Sequence, residues 1–364
     1  MPKKSGRRSG KVITIHDVAL HAGVSPMTVS RVINGESNVR EETRARVAAS
    51  VASLRYLPNQ AARSLASADA THIGILYANP SANYLSEFLL GSLEQSSRSG
   101  CQLVIEKCEG AESEAEAIQR LVKGGIDGVI LPAPLCDSAE SLKAVQDAGL
   151  STVLVASGKP APGLCAISIN NFEASRAMTR HLLELGHRRI GFINGHPNQT
   201  ATGQRFRGYI EGMTEAGLSV GTDQVAQGYF TYRSGLEAAE KLLDSYNPTA
   251  IFASNDDMAA ATMAMAHRRG LEVPGDLAVA GFDDTPLATT VWPALTTVHQ
   301  PIADMAREAV RLLVEQIRGR RAGGEPQAVH KMLKFTLVKR ASTAPLGGTP
   351  AEKRPSRRKG QPAP

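Results

Sequence analysis

From His72 to Phe282 the chain alternates short apolar runs with amphipathic helical segments, and that rhythm admits few folds. The runs His72–Tyr77, Gln102–Glu106, Gly128–Leu131, Thr152–Val155, Ile190–Ile193, Ala250–Ala253 and Leu277–Gly281 read as strands. Helical patterns begin between them near Tyr84, Ser113, Ser138, Phe172, Thr202, Ser234 and Asp256. Strands joined through helices pair in parallel, because a parallel neighbour needs a crossover long enough to hold a helix. Helices then cover both faces of the sheet, which explains why the strands are continuously apolar. The series runs twice, up to about residue 157 and again from about Ser168, so two similar lobes are expected. A ligand cleft should lie between them, at the C-terminal ends of the strands.

Beyond this region, Pro301–Gly319 has a helical stripe (Met305, Ala309, Leu312, Leu313, Ile317), and Lys331–Lys339 reads as one strand. Residues 343–364 are rich in Pro, Gly, Lys and Arg without periodicity and are expected to be a disordered basic tail with no leucine heptad.

The N-terminal part follows other rules. Thr14-x-x-Asp17 fits a capping box, in which a hydroxyl and a carboxylate satisfy the free N–H groups of a first helical turn. Val18, Ala19 and Ala22 give one apolar face, and Gly23 supplies the residue without Cβ that a left-handed helix stop favours. Ser25-Pro26 starts a second helix, with Val29, Val32 and Ile33 as its buried stripe. Met27, Thr28, Ser30, Arg31 and Asn34 are left on other faces or edges, as in a helix-turn-helix that meets a DNA major groove. Val39–Leu54 reads as a third helix with Val47, Val51 and Leu54 inward, and Tyr56 and Leu57 are expected to close this small core. In the following linker, RYLPNQAARSLASAD, Pro58-Asn59 starts a run too short to be helical alone in water. Its Leu65 needs an apolar surface.

Charge separates the two kinds of region. Residues 1–66 carry 11 Lys/Arg against 4 Asp/Glu, and residues 352–364 carry 5 against 1, while the stretch between is mildly acidic. A basic headpiece on an acidic body is the footprint of polyanion binding. The basic arm 1–11 adds salt-sensitive phosphate attraction. Cys101, Cys108, Cys136 and Cys165 form no CxxC pair, so neither a zinc site nor a disulfide framework is expected. No apolar run reaches about 18 residues, and no apolar signal core follows the basic N-terminus, so a cytoplasmic protein with no membrane partner is expected. No phosphate-binding glycine loop or nucleophile elbow is present, and His187, His196 and His299 lack an evident nucleophile. No enzyme, catalytic residue, metal or cofactor is expected, and His187 reads as a structural hydrogen-bonder.

Six motifs in this order, TIHDVALHAGVSPMTVSRVIN, RYLPNQAARSLA, LGHRRIGFING, ASNDDMAAATM, VAGFDDTP with PALTTVHQP, and LVKR, make the chain resemble the LacI/GalR family of bacterial transcriptional regulators over about residues 12–343. The resemblance implies an all-α helix-turn-helix headpiece (12–57), a hinge helix and linker (58–70), and an α/β, two-lobed, periplasmic-binding-protein-like core (71–342) built from two parallel-sheet, Rossmann-like subdomains. It implies a DNA-binding regulator, most often a repressor, acting as a homodimer on a near-palindromic double-stranded operator and controlled by a small carbohydrate-like effector. An activator or dual regulator of the same architecture, and a sugar-binding receptor without DNA, are the alternative readings. The receptor would need an export signal and has no use for the headpiece.

Carried onto this sequence, the resemblance puts Pro26, Met27 and Arg31 at base-reading positions. Of these only Arg31 can make two hydrogen bonds to a guanine edge. Thr14, Ser25, Thr28, Ser30, Asn34 and Asn38 match phosphate-contacting positions. Leu65 matches a leucine wedged into the minor groove at the operator centre, with Asn59, Ala62 and Arg63 as neighbouring hinge contacts. Arg205, Phe230, Asn255 and Asp283 match effector-binding positions, and Tyr84 and Phe88 should face the cleft from the first lobe. Asp256 is expected to cap the helix that follows it, leaving Asn255 for the ligand. The chain departs from the family at Arg40, where a small capping hydroxyl residue is usual, and at Ala156 and Asn170, where Asp is common.

Overall fold

The computed structural model describes residues 13–33, 39–54, 56, 70–108, 113–324 and 327–347. The chain divides into two compact units, Met1–Ala70 and Thr71–Pro364.

In the first unit, helices α1 (Ile15–Ala22), α2 (Pro26–Ile33) and α3 (Glu41–Ser53) surround Val18, Ala19, Ala22, Val29 and Val47, with Val32, Val51, Leu54 and Tyr56 packed against them. The capping chemistry is the one the sequence spells out. The Thr14 backbone N–H donates to the Asp17 carboxylate at 2.8 Å, and the Asp17 N–H donates to the Thr14 hydroxyl. Gly23 ends α1 at φ 64°, and the Ser25 hydroxyl accepts from the Thr28 N–H at 3.1 Å. Arg40 precedes α3 without a side-chain cap bond, in line with its departure from the usual hydroxyl. Leu57 lies outside the described residues.

Among the described residues of the second unit, twelve strands form two six-stranded sheets. Lobe 1 contains β1 (Thr71–Tyr77), β2 (Cys101–Lys107), β3 (Gly128–Pro132), β4 (Ser151–Val155), β5 (Cys165–Ile169) and β11 (His330–Leu333), in the order β2-β1-β3-β4-β5-β11, all parallel. Its helices are α4 (Ala82–Ser99), α5 (Glu114–Lys123), α6 (Ala139–Asp147) and α12 (Ile302–Arg321). Lobe 2 repeats the order as β7-β6-β8-β9-β10-β12, from β6 (Ile190–Asn194), β7 (Val225–Gln227), β8 (Ala250–Ala253), β9 (Ala278–Asp283), β10 (Thr296–His299) and β12 (Thr336–Val338). Only the β10–β12 pair is antiparallel. Its helices are α7 (Asn171–Glu184), α8 (Thr200–Glu215), α9 (Tyr232–Ser245), α10 (Asp256–Arg268) and α11 (Leu287–Thr290). The interior strands β3, β4 and β8 are buried throughout, as covered parallel strands must be.

Among the described residues the chain crosses between lobes three times: after β5, after β10, and between β11 and β12. The second crossing returns α12 to lobe 1, where it lies along α4 and under β3 and β4. The third corrects the reading of Lys331–Lys339 as one strand. Its alternating pattern is real, but Lys334 and Phe335 carry the chain from one sheet to the other. Strands β5, β7 and β10 were not among the expected ones, because short runs with interspersed Ser, Thr and Gln carry a weak apolar signal.

His187 is buried in lobe 2, 2 % exposed, with Nδ1 at 3.1 Å from the Thr249 hydroxyl and Nε2 at 3.1 Å from the Ala344 carbonyl. His181 Nε2 lies 3.4 Å from the Thr343 hydroxyl. Burial lowers both imidazole pKa values below the ordinary 6.5. A depressed folded pKa gives stability that is complete above the unfolded value and is lost as pH falls through the folded one. Asp256, raised to about 7 mainly by burial, acts in the opposite sense over part of the same range. The difference between wild type and His187→Gln therefore isolates the histidine. In urea titrations from pH 8 down to 5, wild type should lose stability relative to the variant once pH passes below about 6.5. A constant difference would refute the assignment.

Candidate functional site

Two surfaces carry the candidate residues, and each belongs to one unit. On α2, Met27 is 65 % exposed, Arg31 is exposed and Pro26 is half-buried at the first turn. Ser25 and Thr28 hydroxyls lie 2.9 Å apart, so the N-cap also fixes the orientation of two phosphate-matching side chains. Ser30 is half-buried, and the exposed Thr14 is tied into its capping box. Asn34, Asn38, Asn59, Ala62, Arg63 and Leu65 lie outside the described residues.

The second surface is a cleft between the lobes. Lobe 1 lines it with Asn79, Ser81, Tyr84, Ala133 and Ala156. Lobe 2 supplies Gln199, Ala201, Arg205, Phe230, Asn255 and Asp283, and Gln300 comes from the second crossing. Five of the six expected cleft residues are thus brought together. The sixth, Phe88, is corrected: it is fully buried and stacks under Tyr84 with ring centroids 6.5 Å apart. One helical turn separates the two aromatics, which puts them on one face but at different depths.

Arg205 is held rigidly. Its Nε donates to Asn171 Oδ1 at 2.8 Å, its Nη1 donates to the Ser254 carbonyl at 2.5 Å, and its guanidinium stacks 3.6 Å from the Phe282 ring centroid. Nη1 lies 3.8 Å from Asp283 Oδ1. Burial pushes the Asp283 carboxyl well above the usual range, and Arg205 partly opposes that rise. Asp283 Oδ1 also accepts from Gln300 Nε2 at 3.2 Å.

Asn255, not Asp256, caps α10: its Oδ1 accepts from the Met258 N–H at 3.0 Å, and its Nδ2 donates to the Phe230 carbonyl at 3.1 Å. Asp256 instead turns behind the cleft and accepts from the Thr285 N–H at 2.7 Å, the Thr285 hydroxyl at 3.0 Å and the Thr297 hydroxyl at 2.7 Å. An Asn–Asp pair offers two capping residues, and the tertiary donors of Thr285 and Thr297 decide which is used.

Two buried polar atoms in the cleft, Tyr84 Oη and Gln300 Oε1, have no hydrogen-bond partner among the described residues. Burial raises the Tyr84 phenol pKa, so it is neutral and can both donate and accept. Ala156, Phe230 and Asp283 all have positive φ (67°, 61° and 112°), a conformation that non-glycine residues adopt at a cost and that concentrates at binding sites. Gln300, Gln199, Asn79 and Ser81 escaped the sequence reading. Of these, Gln300 alone stood inside a quoted motif, PALTTVHQP. Among the described residues no cluster of His, Cys, Asp or Glu is placed to hold a metal, and no helix is long and apolar enough to cross a membrane.

Residues 14–59 match the family model for bacterial regulatory proteins of the lacI family, and residues 179–343 match that for a periplasmic binding protein-like domain. Catabolite control protein A of Priestia megaterium is 34 % identical over 306 residues, which span 83 % of this chain and 92 % of that protein. The chain belongs to the LacI family. The HTH-type transcriptional regulator DegA of Bacillus subtilis is likewise 34 % identical, over 92 % of this chain and 98 % of its own. Among solved structures, a complex of the transcriptional regulator CelR with cellobiose superposes with a TM-score of 0.69 at 31 % identity, covering 91 % of this chain and 99 % of that one. The lac repressor dimer bound to operator and the anti-inducer ONPF gives a TM-score of 0.73 at 26 % identity, covering 92 % and 100 %. This LacI-family chain is thus a DNA-binding regulator with an N-terminal helix-turn-helix and an effector-binding core.

Proposed function

We propose that this regulator is a repressor that binds a near-palindromic operator as a homodimer, and that a small carbohydrate-like molecule in the interlobe cleft controls its operator affinity. The observation that carries the reading is the convergence of Arg205, Asn255, Asp283 and the Phe230 ring with the unpartnered polar atoms of Tyr84 and Gln300. Donors, acceptors and a flat apolar face suit a polyhydroxylated ligand. The CelR–cellobiose complex and the relatives named as PurR repressors support the two halves of the proposal. A dimer is supported by exposed apolar side chains on lobe 1, Leu90 and Leu93 on α4 and Val104 and Ile105 on β2.

In this reading residues 12–57 form the headpiece, 58–70 the hinge and 71–342 the core, with basic arms outside them. Arg31 reads a base edge, Pro26 and Met27 offer apolar contact, and Thr14, Ser25, Thr28, Ser30, Asn34 and Asn38 set register on phosphates. Leu65 wedges the minor groove beside Asn59, Ala62 and Arg63. A ligand that prefers one arrangement of the lobes shifts the hinge and so the wedge.

Leu65→Ala tests the DNA half. Its affinity for an operator selected from random duplexes should fall about tenfold or more, since the wedge exchanges unstacking for a bent duplex that meets more protein. The variant should keep wild-type sugar affinity. Equal operator affinity would remove the wedge. A thermal-shift screen of sugars and sugar phosphates tests the ligand half, because a specific ligand raises the melting temperature by mass action.

A further inference from the structure

Two carboxylates cross from lobe to lobe beside the cleft. We propose that Asp137 and Asp257 are latch residues that hold the lobes closed by protein contacts alone, and that Asp257 ties this latch to what occupies the cleft.

Asp137 ends a single 3-10 turn, Leu135–Asp137, in lobe 1. Its Oδ1 accepts from the Ser157 hydroxyl of the same lobe at 2.6 Å. Its Oδ2 accepts from both the backbone N–H of Thr200, at 2.7 Å, and the Thr200 hydroxyl, at 2.8 Å, in lobe 2. Thr200 opens α8, and the preceding Gln199 makes no side-chain cap bond. A helix N-terminus leaves free N–H groups and favours negative charge, and here the other lobe supplies the acceptor. The Thr200 hydroxyl in turn accepts from the Gly158 N–H of lobe 1 at 2.8 Å, and Gln204 Nε2 donates to the Gly158 carbonyl.

Asp257 does the reverse. It sits in the first turn of α10 in lobe 2, and its Oδ2 accepts from the Ser81 hydroxyl at 2.5 Å while its Oδ1 accepts from Asn83 Nδ2 at 2.8 Å, both in lobe 1. Each lobe thus gives one carboxylate and receives one. Hydrogen bonds to a carboxylate are shorter and roughly twice as strong as neutral ones, and four such bonds cross the interface.

The Asp137 latch borders the cleft, and the Asp257 latch shares a residue with it. Thr200 stands between the lining residues Gln199 and Ala201. Ser81 lines the cleft, and so does Asn255, whose Nδ2 lies 3.4 Å from Asp257 Oδ2. A ligand hydroxyl that engages Ser81 or Asn255 draws on donors that Asp257 already uses. Ligand binding and lobe attachment are thereby coupled through one carboxylate, which is the differential interaction that a shift between two states requires.

The test uses the full chain with no sugar and no DNA, so its outcome is independent of the proposed ligand and operator. Lys123→Cys on α5 and Lys241→Cys on α9, both exposed, carry spin labels in a Cys108→Ser background. Labelled chain is diluted into unlabelled chain so that pulsed dipolar spectroscopy reads intrachain distances only. Wild type should give one narrow distribution. Asp137→Asn with Asp257→Asn should raise the ratio of the longer-distance to the main population about tenfold, with single variants between. Thr200→Val and Asn83→Ala remove bonds from the partner side and should move the distribution the same way, which keeps the test open if the carboxylate variants fold poorly. A lower melting temperature with an unchanged distribution in the folded variants would overturn the proposal.

Discussion

Arg205→Ala is expected to destabilise the core by about 3–5 kcal/mol as well as abolish the response to ligand, because removal of one partner of a buried pair strands the other. Arg205 is 6 % exposed, and its truncation leaves Asn171 Oδ1 and the Ser254 carbonyl without their donor and Asp283 without its ion-pair partner. Asp283 then faces burial and the nearby charges of Asp256 and Asp257, all of which disfavour its ionised form, with only the Gln300 amide to oppose them. Its carboxyl pKa should rise further in the variant. Adding Asp283→Asn should therefore recover part of the lost stability without restoring the ligand response. Urea unfolding of the single and double variants at pH 7.5 measures the first effect, and thermal shift with a sugar that stabilises wild type measures the second. If the double variant is less stable than the single one by the full cost of Asp283→Asn in wild type, the two side chains act independently and the coupling fails. Operator binding below the melting transition should survive, since the headpiece makes its own core.

How much of this was legible in the sequence depended on how local each determinant is. The caps of α1 and α2 involve partners within three residues, so Thr14, Asp17, Gly23 and Ser25 could be read directly. The β-α rhythm gave two lobes because alternation is also a local pattern. What it could not give was which sheet a strand joins: α12 returns to lobe 1, and the run from Lys331 to Lys339 is split between sheets, through crossings that no periodicity records. Arg205, Asn255 and Asp283 came from motif resemblance, and all three reach the cleft. Their partners did not come with them. The choice of Asn255 rather than Asp256 as the cap is set by Thr285 and Thr297, which lie 29 and 41 residues from Asp256 in sequence. Asp137 and Asp257 are unremarkable in the chain because a bond between lobes leaves no spacing to detect.

Gly195→Ala is expected to weaken ligand binding by about tenfold to a hundredfold while costing the fold only about 1–3 kcal/mol, although Gly195 does not line the cleft. A Cβ at this position would lie 2.0 Å from Phe230 Cζ and 2.5 and 2.7 Å from its two Cε atoms. Side-chain atoms do not approach so closely, so the ring must move by more than an ångström. The backbone of Phe230 cannot follow easily. It is held at φ 61°, and its carbonyl accepts from Asn255 Nδ2. The ring tip is the part that can yield, and it borders the cleft, so the strain is relieved into space the ligand would use. Calorimetric titration with a sugar identified by thermal shift separates this from a general loss of packing. In a Phe230→Ala background the obstructed ring is absent, and Gly195→Ala should then change affinity by less than about twofold. Equal losses in both backgrounds would mean that Gly195 acts through the β6 backbone, and the role assigned to the Phe230 ring would fall with it.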